Sequence, residues 1–215
     1  STDILADICY YQHPTWHKAG TLGRFFIEPL GDIYVVPVPY INTYYNDFDK
    51  QNTLYKVESN TGIMDSVFRL TGWDKINNHN PFGLMGITYD CSAQSLYVST
   101  IAGSNFDKNN GKIYKIEITN KEELILKDSI EGINALSLAL VNIGGIKRLL
   151  YGDADVSDVK SVELDKYGNF TKFNHTEIKL DIDHFMTSHK AVGIRFLSDT
   201  KVEIEGVYFD YTLAI

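Results

Sequence analysis

The segment Phe48-Asp-Lys-Gln-Asn-Thr-Leu-Tyr-Lys-Val-Glu58 recurs, one residue longer, as Phe106-Asp-Lys-Asn-Asn-Gly-Lys-Ile-Tyr-Lys-Ile-Glu117. Such self-similarity restricts a chain to stacked copies of one supersecondary unit. Upstream, Gly31-Asp-Ile-Tyr-Val-Val36 matches Gln94-Ser-Leu-Tyr-Val-Ser99. A third copy runs Lys147-Arg-Leu-Leu-Tyr-Gly152, then Val159-Lys-Ser-Val-Glu-Leu164. A fourth, more divergent, is 191–197, a Ser-Asp-Thr turn, then 201–207. The tyrosines Tyr34, Tyr97 and Tyr151 mark the first three copies, 63 and 54 residues apart.

Each copy reads as four short strands. In the first they fall at 24–28, 33–38, 54–58 and 64–70, and in the second at 86–89, 95–101, 112–118 and 122–127. Val, Ile, Tyr and Phe alternate with polar residues, as a half-buried strand requires. The breaks carry turn chemistry: Pro29-Leu-Gly-Asp32, Asn60-Thr-Gly62, Gly144-Gly145 and Lys166-Tyr-Gly-Asn169. No long stretch shows a 3.6-residue apolar period. Four-stranded antiparallel units repeated every 45–60 residues are the blades of a β-propeller. The chain thus reads as all-β, a small propeller of four blades (five if the loops are short). Its repeats fall at about 23–71, 82–129, 134–180 and 190–215 plus 1–12, within a single domain. The strand at 4–11 is expected to complete the last blade and close the ring, because an open ring leaves bare edge strands. A β-sandwich is the rival fold.

Gly86-Ile-Thr-Tyr-Asp90, Ser95-Leu-Tyr-Val-Ser99 and Gly111-Lys-Ile-Tyr-Lys-Ile-Glu117 resemble a blade of the NHL-type and senescence-marker/gluconolactonase-like propellers. The resemblance is clear over 82–118 and weaker over 23–60 and 147–165. It implies the fold. The enzymes of that family hold a divalent metal with Glu, Asn and Asp at the inner strand ends. By resemblance the Asp falls on Asp153 and the Asn on Asn134, whereas Glu28 stands in a turn and does not supply the Glu. On that reading the protein is a metal-dependent lactonase or hydrolase.

Composition narrows the other classes. With 44% apolar and 22% charged residues the chain folds rather than staying disordered. A formal net charge of −8 disfavours nucleic acid and anionic lipid. No apolar run approaches the ~20 residues of a membrane helix. Cys9 and Cys91 form no CxxC motif and read as two reduced core thiols or one disulfide. Ser1 and the exported relatives favour an extracytoplasmic address, periplasmic or secreted, over a cytoplasmic one.

Several constellations have both a chemical and a structural reading. His13-Pro-Thr-Trp-His17 spaces two histidines like a zinc pair, but Pro14 opposes the helix that would align them. They read as loop residues around a packed Trp16. Asp181-Ile-Asp-His184 with His189 reads as a solvated turn, and Asp107-Lys-Asn-Asn-Gly111 as a loop using Asn and Gly for positive φ. Two sequons, Asn169-Phe-Thr171 and Asn174-His-Thr176, carry little weight. No GxSxG, HExxH, P-loop or GxGxxG motif is present. The unusual segment is Pro37–Phe48 by position, 37–48, with Tyr40, Tyr44, Tyr45 and Phe48. Aromatic loops of this kind favour interfaces. The leading expectation is a non-catalytic binding or accessory module of a larger cell-envelope assembly. It needs no cofactor, and a protein partner contacts Tyr40, Tyr44, Tyr45 and Phe48. The alternatives are the lactonase, with a divalent metal on Asn134 and Asp153, and a sugar- or peptide-binding propeller.

Overall fold

The computed structural model describes residues 11–39, 49–70, 79–119, 121, 123–180, 189–198 and 200–212. They form fourteen strands in four antiparallel sheets. The first blade holds β1 (Thr21–Ile27), β2 (Ile33–Val38), β3 (Thr53–Val57) and β4 (Met64–Arg69). The second holds β5 (Leu84–Asp90), β6 (Ser95–Thr100), β7 (Lys112–Ile118) and β8 (Leu124–Glu131). The third holds β9 (Ala135–Ile143), β10 (Ile146–Asp153), β11 (Asp158–Leu164) and β12 (Phe170–Lys179). Each is a meander in which sequence neighbours pair. The last sheet is a hairpin of β13 (His189–Ser198) and β14 (Lys201–Tyr208). The protein is therefore an all-β propeller. Among the described residues its fourth unit has two strands. The expected closing strand at 4–11 lies outside them except for Tyr11.

The repeated motif has a physical meaning. In each blade the marker tyrosine stands directly opposite a lysine on the next strand: Tyr34 opposite Lys56, Tyr97 opposite Lys115, Tyr151 opposite Lys160. The three rings are at most 2% exposed. Burial raises the Tyr97 and Tyr151 hydroxyls, Tyr151 to about 12, so both stay protonated at neutral pH. Tyr97 donates to the Gly168 carbonyl at 2.6 Å, in the lower turn of the next blade. The three lysines differ in where their ammonium goes. Lys56 pairs with Asp32, Lys115 reaches Tyr167 O and Asn169 Oδ1, and Lys160 takes Asp153 Oδ2 at 2.6 Å.

Apolar residues on facing sheets fill the seams between blades. Tyr34, Val36 and Leu54 meet Leu84, Leu96 and Ile116 between the first and second. Tyr97 and Ile113 meet Leu138, Leu149 and Val162 between the second and third. Ala139, Leu150 and Val159 meet Ala191, Ile194 and Ile204 against the hairpin. Between the hairpin and the first blade the contact is ionic, Arg24 to Glu205 at 2.8 Å, with both side chains about half exposed. A 3-10 helix, Pro14–Ala19, covers the first blade's outer face there. Ala19 and Trp16 pack on Val35, Tyr55 and Met64, and Trp16 Nε1 donates to Gly62 O.

Several local expectations are corrected. The second blade's outer strand runs to Glu131, not to 127, because a bulge between Lys115 and Ile116 lets Asp128 and Ile130 keep pairing. Pro14 opens the 3-10 helix instead of breaking structure: it occupies the first turn, where an N–H would have no partner. His13 caps that helix by accepting from Thr15 N. Gly111 has no positive φ. It is required because a Cβ there would overlap the Ile133 carbonyl and Asn134 Oδ1. Gly144-Gly145, with φ of 60° and 85°, forms the two-residue turn that right-twisted hairpins favour. Cys91 is a free, exposed thiol, neither buried in the core nor in a disulfide, because Asp90 just before it turns the chain outward. Cys9, Asp181, Asp183 and His184 lie outside the described residues. No helix among the described residues is long and apolar enough to cross a membrane.

One buried ion pair ties the second and third blades. Lys147 Nζ sits 2.6 Å from Asp90 Oδ2, whose side chain is 3% exposed. Burial alone would raise the Asp90 carboxyl. The Lys147 ammonium, the Ser92 hydroxyl and the Ala93 N–H outweigh it and hold the group below the usual range. A carboxyl lowered on folding stabilises above its unfolded value near 4, and this is lost as pH falls through the folded value. Asp90→Asn is therefore expected to flatten the acid limb below about pH 4 in urea midpoints measured against pH. An unchanged acid limb would remove this pair from the account of acid stability.

Candidate binding site at the upper mouth of the axial cavity

The inner strands β1, β5, β9 and β13 surround an axial cavity of ≈ 1040 Å³. It opens upward into a second space of ≈ 470 Å³, bounded by Phe82, Met85, Leu136, Val192, Tyr208 and Phe209. That upper mouth gathers the starts of β5, β9 and β13 with the ends of β2 and β14. The loops after β6 and β10 therefore stand at the same rim, as does the chain after β14. The turns after β3 and β13 stand at the lower rim.

Asn134 organises the rim. It is 1% exposed and lies in the short link between the second and third blades. Its Oδ1 accepts from Ser104 Oγ at 2.7 Å and Gly111 N at 3.0 Å. Its Nδ2 donates to the Asp155 carboxylate and to Tyr211 Oη at 2.7 Å. Tyr211 in turn donates to Asp155 Oδ1. Burial, then the Asp155 contact, pushes the Tyr211 hydroxyl far up, so it acts as a fixed donor. This network locks the chain after β14 onto the loops of the second and third blades.

Asp153 lies beside it, at the end of β10. Its Oδ1 accepts from Asp155 N at 2.7 Å and its Oδ2 is held by Lys160. Lys190, at the start of β13, is 8% exposed and donates to the Asp155 carbonyl at 3.2 Å. Burial lowers the Lys190 ammonium below its ordinary value, while Asp153, Asp155 and Asp158 act in the opposite sense. Over the network stand four rings in sequence, Phe82, Phe209, Tyr211 and Phe106, with centroids 5.3–5.4 Å apart. Phe106 ends the row and is 75% exposed.

The structure brings Asn134 and Asp153 to one place, linked through Asp155. They do not fit a divalent cation. Both lone-pair directions of the Asn134 oxygen take protein donors, and an ammonium already neutralises the Asp153 carboxylate. Among the described residues no three His, Cys, Asp or Glu are placed to hold a metal ion. The repeat explains this: Lys160 is the third copy of the lysine that faces the marker tyrosine. Tyr40, Tyr44, Tyr45 and Phe48 lie outside the described residues. Asp155, Lys190 and Tyr211 were not visible as site residues in the sequence. Asp155 follows β10 of the third unit, whereas Lys190 and Tyr211 belong to the fourth, so no local motif joins them.

No family model matches the sequence, and no curated protein does. Among solved structures, the chain is similar to the PQQ-bound aldose sugar dehydrogenase of Streptomyces coelicolor (17% identity, TM-score 0.45, 69% of this chain and 45% of that one). It is also similar to exo-β-1,3-galactanases from Phanerochaete chrysosporium (13%, TM-score 0.42, 70% and 36%) and Clostridium thermocellum (11%, TM-score 0.38, 71% and 39%). The chain spans less than half the length of each. What stands is a β-propeller. Assignment to the NHL-type or gluconolactonase-like family rests on the blade pattern alone.

Proposed function

We propose that this propeller is a non-catalytic binding module, an accessory subunit that holds a protein partner at the upper mouth of its axial cavity. The observation that carries the reading is the state of the rim. Its polar groups are committed to one another, and the aromatic row over them ends on the exposed ring of Phe106. Asn134, Asp155 and Tyr211 form a closed set, and Asp153 is neutralised by Lys160. Such a rim offers shape and apolar area without a poised base or nucleophile. Phe106 supplies a rigid anchor of the kind that dominates protein interfaces. The loop of Tyr40, Tyr44, Tyr45 and Phe48 is proposed to extend the same surface, because β2 ends at the mouth. A larger extracytoplasmic, cell-envelope assembly is the proposed setting.

Native mass spectrometry of the protein isolated from its source tests this. The expected species is a complex heavier than the 24.4 kDa chain without stoichiometric metal. Phe106→Ala should weaken that complex by about tenfold. A lone chain carrying one divalent metal, lost in Asp153→Ala, would replace this reading with the lactonase.

A further inference from the structure

The sequence contains one Asn-Gly step, Asn110-Gly111. Such a step carries its own chemistry. The glycine nitrogen attacks the side-chain carbonyl carbon of the asparagine, because no Cβ shields it and the backbone turns freely. The new C–N bond closes a succinimide ring. The bond from that carbon to the side-chain nitrogen breaks, and ammonia leaves. Water then opens the ring to aspartate, or to isoaspartate, in which the main chain runs through the side-chain carbon. One water is consumed and one ammonia released, with no oxidant or reductant.

The fold requires this glycine. Gly111 is buried, and a Cβ there would overlap the Ile133 carbonyl and Asn134 Oδ1. The labile step is therefore a consequence of the close approach between the start of β7 and the link before β9. The same approach holds the reacting atoms apart. The Gly111 N–H donates to Asn134 Oδ1 at 3.0 Å and to Asn109 Oδ1 at 3.2 Å. The Gly111 carbonyl accepts from Gly132 N at 2.9 Å and from Ile133 N at 3.2 Å. Both sides of the residue are pinned, whereas attack needs its nitrogen to lose that proton and turn toward Asn110. The Asn110 side chain is drawn the other way. Its Nδ2 donates to the Gly103 carbonyl at 2.9 Å, and its backbone N–H donates to Ser104 Oγ at 3.0 Å. Ser104 Oγ in turn donates to Asn134 Oδ1.

We propose that Asn110 is a deamidation site that the Asn134 network keeps shut, and that its conversion loosens the rim irreversibly. Cyclisation proceeds through local opening of the loop at 103–111, so its rate follows the open fraction. The products do not restore the closed arrangement. Aspartate at 110 sets an acceptor-only carboxylate against the Gly103 carbonyl, where a donor stood. Isoaspartate lengthens the main chain by one carbon just before Gly111 and moves that residue out of its slot against Ile133 and Asn134. Either change loosens the loop that Asn134 ties to Asp155 and Tyr211.

Peptide mapping by mass spectrometry of the full-length chain held at pH 8 tests this. The chain unfolded in urea sets the intrinsic rate of conversion at Asn110. In the folded chain conversion should be at least about tenfold slower. Folded Asn134→Ala should convert about tenfold faster than the folded native chain. Should that variant fail to fold, Ser104→Ala makes the same comparison, since it removes the acceptor of the Asn110 N–H and a donor to Asn134. Asn110→Asp, one of the two products, should unfold at a lower urea concentration than the native chain. The proposal is overturned if folded and unfolded chains convert at one rate, or if the folded variant converts no faster than the native chain. It is equally overturned if Asn110→Asp unfolds at the native midpoint, because conversion would then leave the rim intact.

Discussion

Gly152→Ala is expected to detach the C-terminal hairpin from the third blade. Gly152 lies on β10, and a Cβ built there would overlap the carbonyl oxygen of Ala191 on β13, with the Ala191 Cβ also within 2.8 Å. The obstacle is backbone, so no side-chain rotation relieves it. The contact sits inside the seam where Leu150 and Val159 meet Ala191 and Ile204. It is also braced by Ser137, whose hydroxyl donates to the Ala191 carbonyl and accepts from Gly152 N. Moving β13 outward breaks the bond from Ser137 to the Ala191 carbonyl and opens the apolar seam. A cost of roughly 3 kcal/mol or more follows from overpacking combined with unsatisfied buried groups. Urea denaturation reads the loss, and hydrogen exchange should place it in β13 and β14 first. Gly132→Ala is the control. A Cβ there meets nothing, and its φ of +75° costs about 1 kcal/mol. Equal effects of the two substitutions would sink the close-approach argument.

Much of this fold was legible because the repeat is local. Tyr–Lys spacing, alternating strands and glycine turns recur within each unit, and each feature acts on its immediate neighbours. The tyrosine-to-lysine pairing across strands is the structural content of the matched segments. The fourth unit was harder to read. Among the described residues its two strands lack the marker tyrosine, and this face meets the first blade through the Arg24–Glu205 ion pair. Gly111 illustrates a different limit. Its glycine is demanded by the Ile133 backbone 22 positions away, which a reading of turn chemistry could not anticipate.

The site was legible only in part, for a related reason. Asn134 stands just before the inner strand β9 and Asp153 at the end of β10, and both touch Asp155. Their chemistry depends on what else arrives. Lys160 neutralises Asp153, and its place in the repeat was visible, but lysines at the same repeat position go to a carboxylate, a carbonyl or an amide in different blades. Tyr211 closes the network from 77 positions beyond Asn134. A residue's position in a repeat fixes where its backbone lies. The long side chain then finds whichever partner the neighbouring blade presents.

Asn134→Ala should therefore be among the most damaging single substitutions at the rim, through stability rather than loss of chemistry. The side chain removed is buried and accepts from Ser104 Oγ and Gly111 N while donating to Tyr211 Oη and Asp155. Alanine takes away the acceptor of the buried Ser104 hydroxyl and leaves the Gly111 N–H with Asn109 Oδ1 at 3.2 Å alone. Each buried group left unsatisfied costs about 1–3 kcal/mol, so a loss on the order of 3–5 kcal/mol is expected. Asn134→Asp separates the two halves of the argument. It keeps the acceptor for Ser104 and Gly111 but sets a second carboxylate against Asp155, so its stability should fall with rising pH as the two compete for one proton. Tyr211→Phe removes only the hydroxyl and should cost less than Asn134→Ala, because Asn134 Nδ2 keeps Asp155. Chemical denaturation at pH 5 and pH 8 distinguishes the three. Were Asn134→Ala to melt like the native chain, the rim would not be the clasp that holds the ring, and the network would have to be understood as a ligand site left satisfied in the free protein.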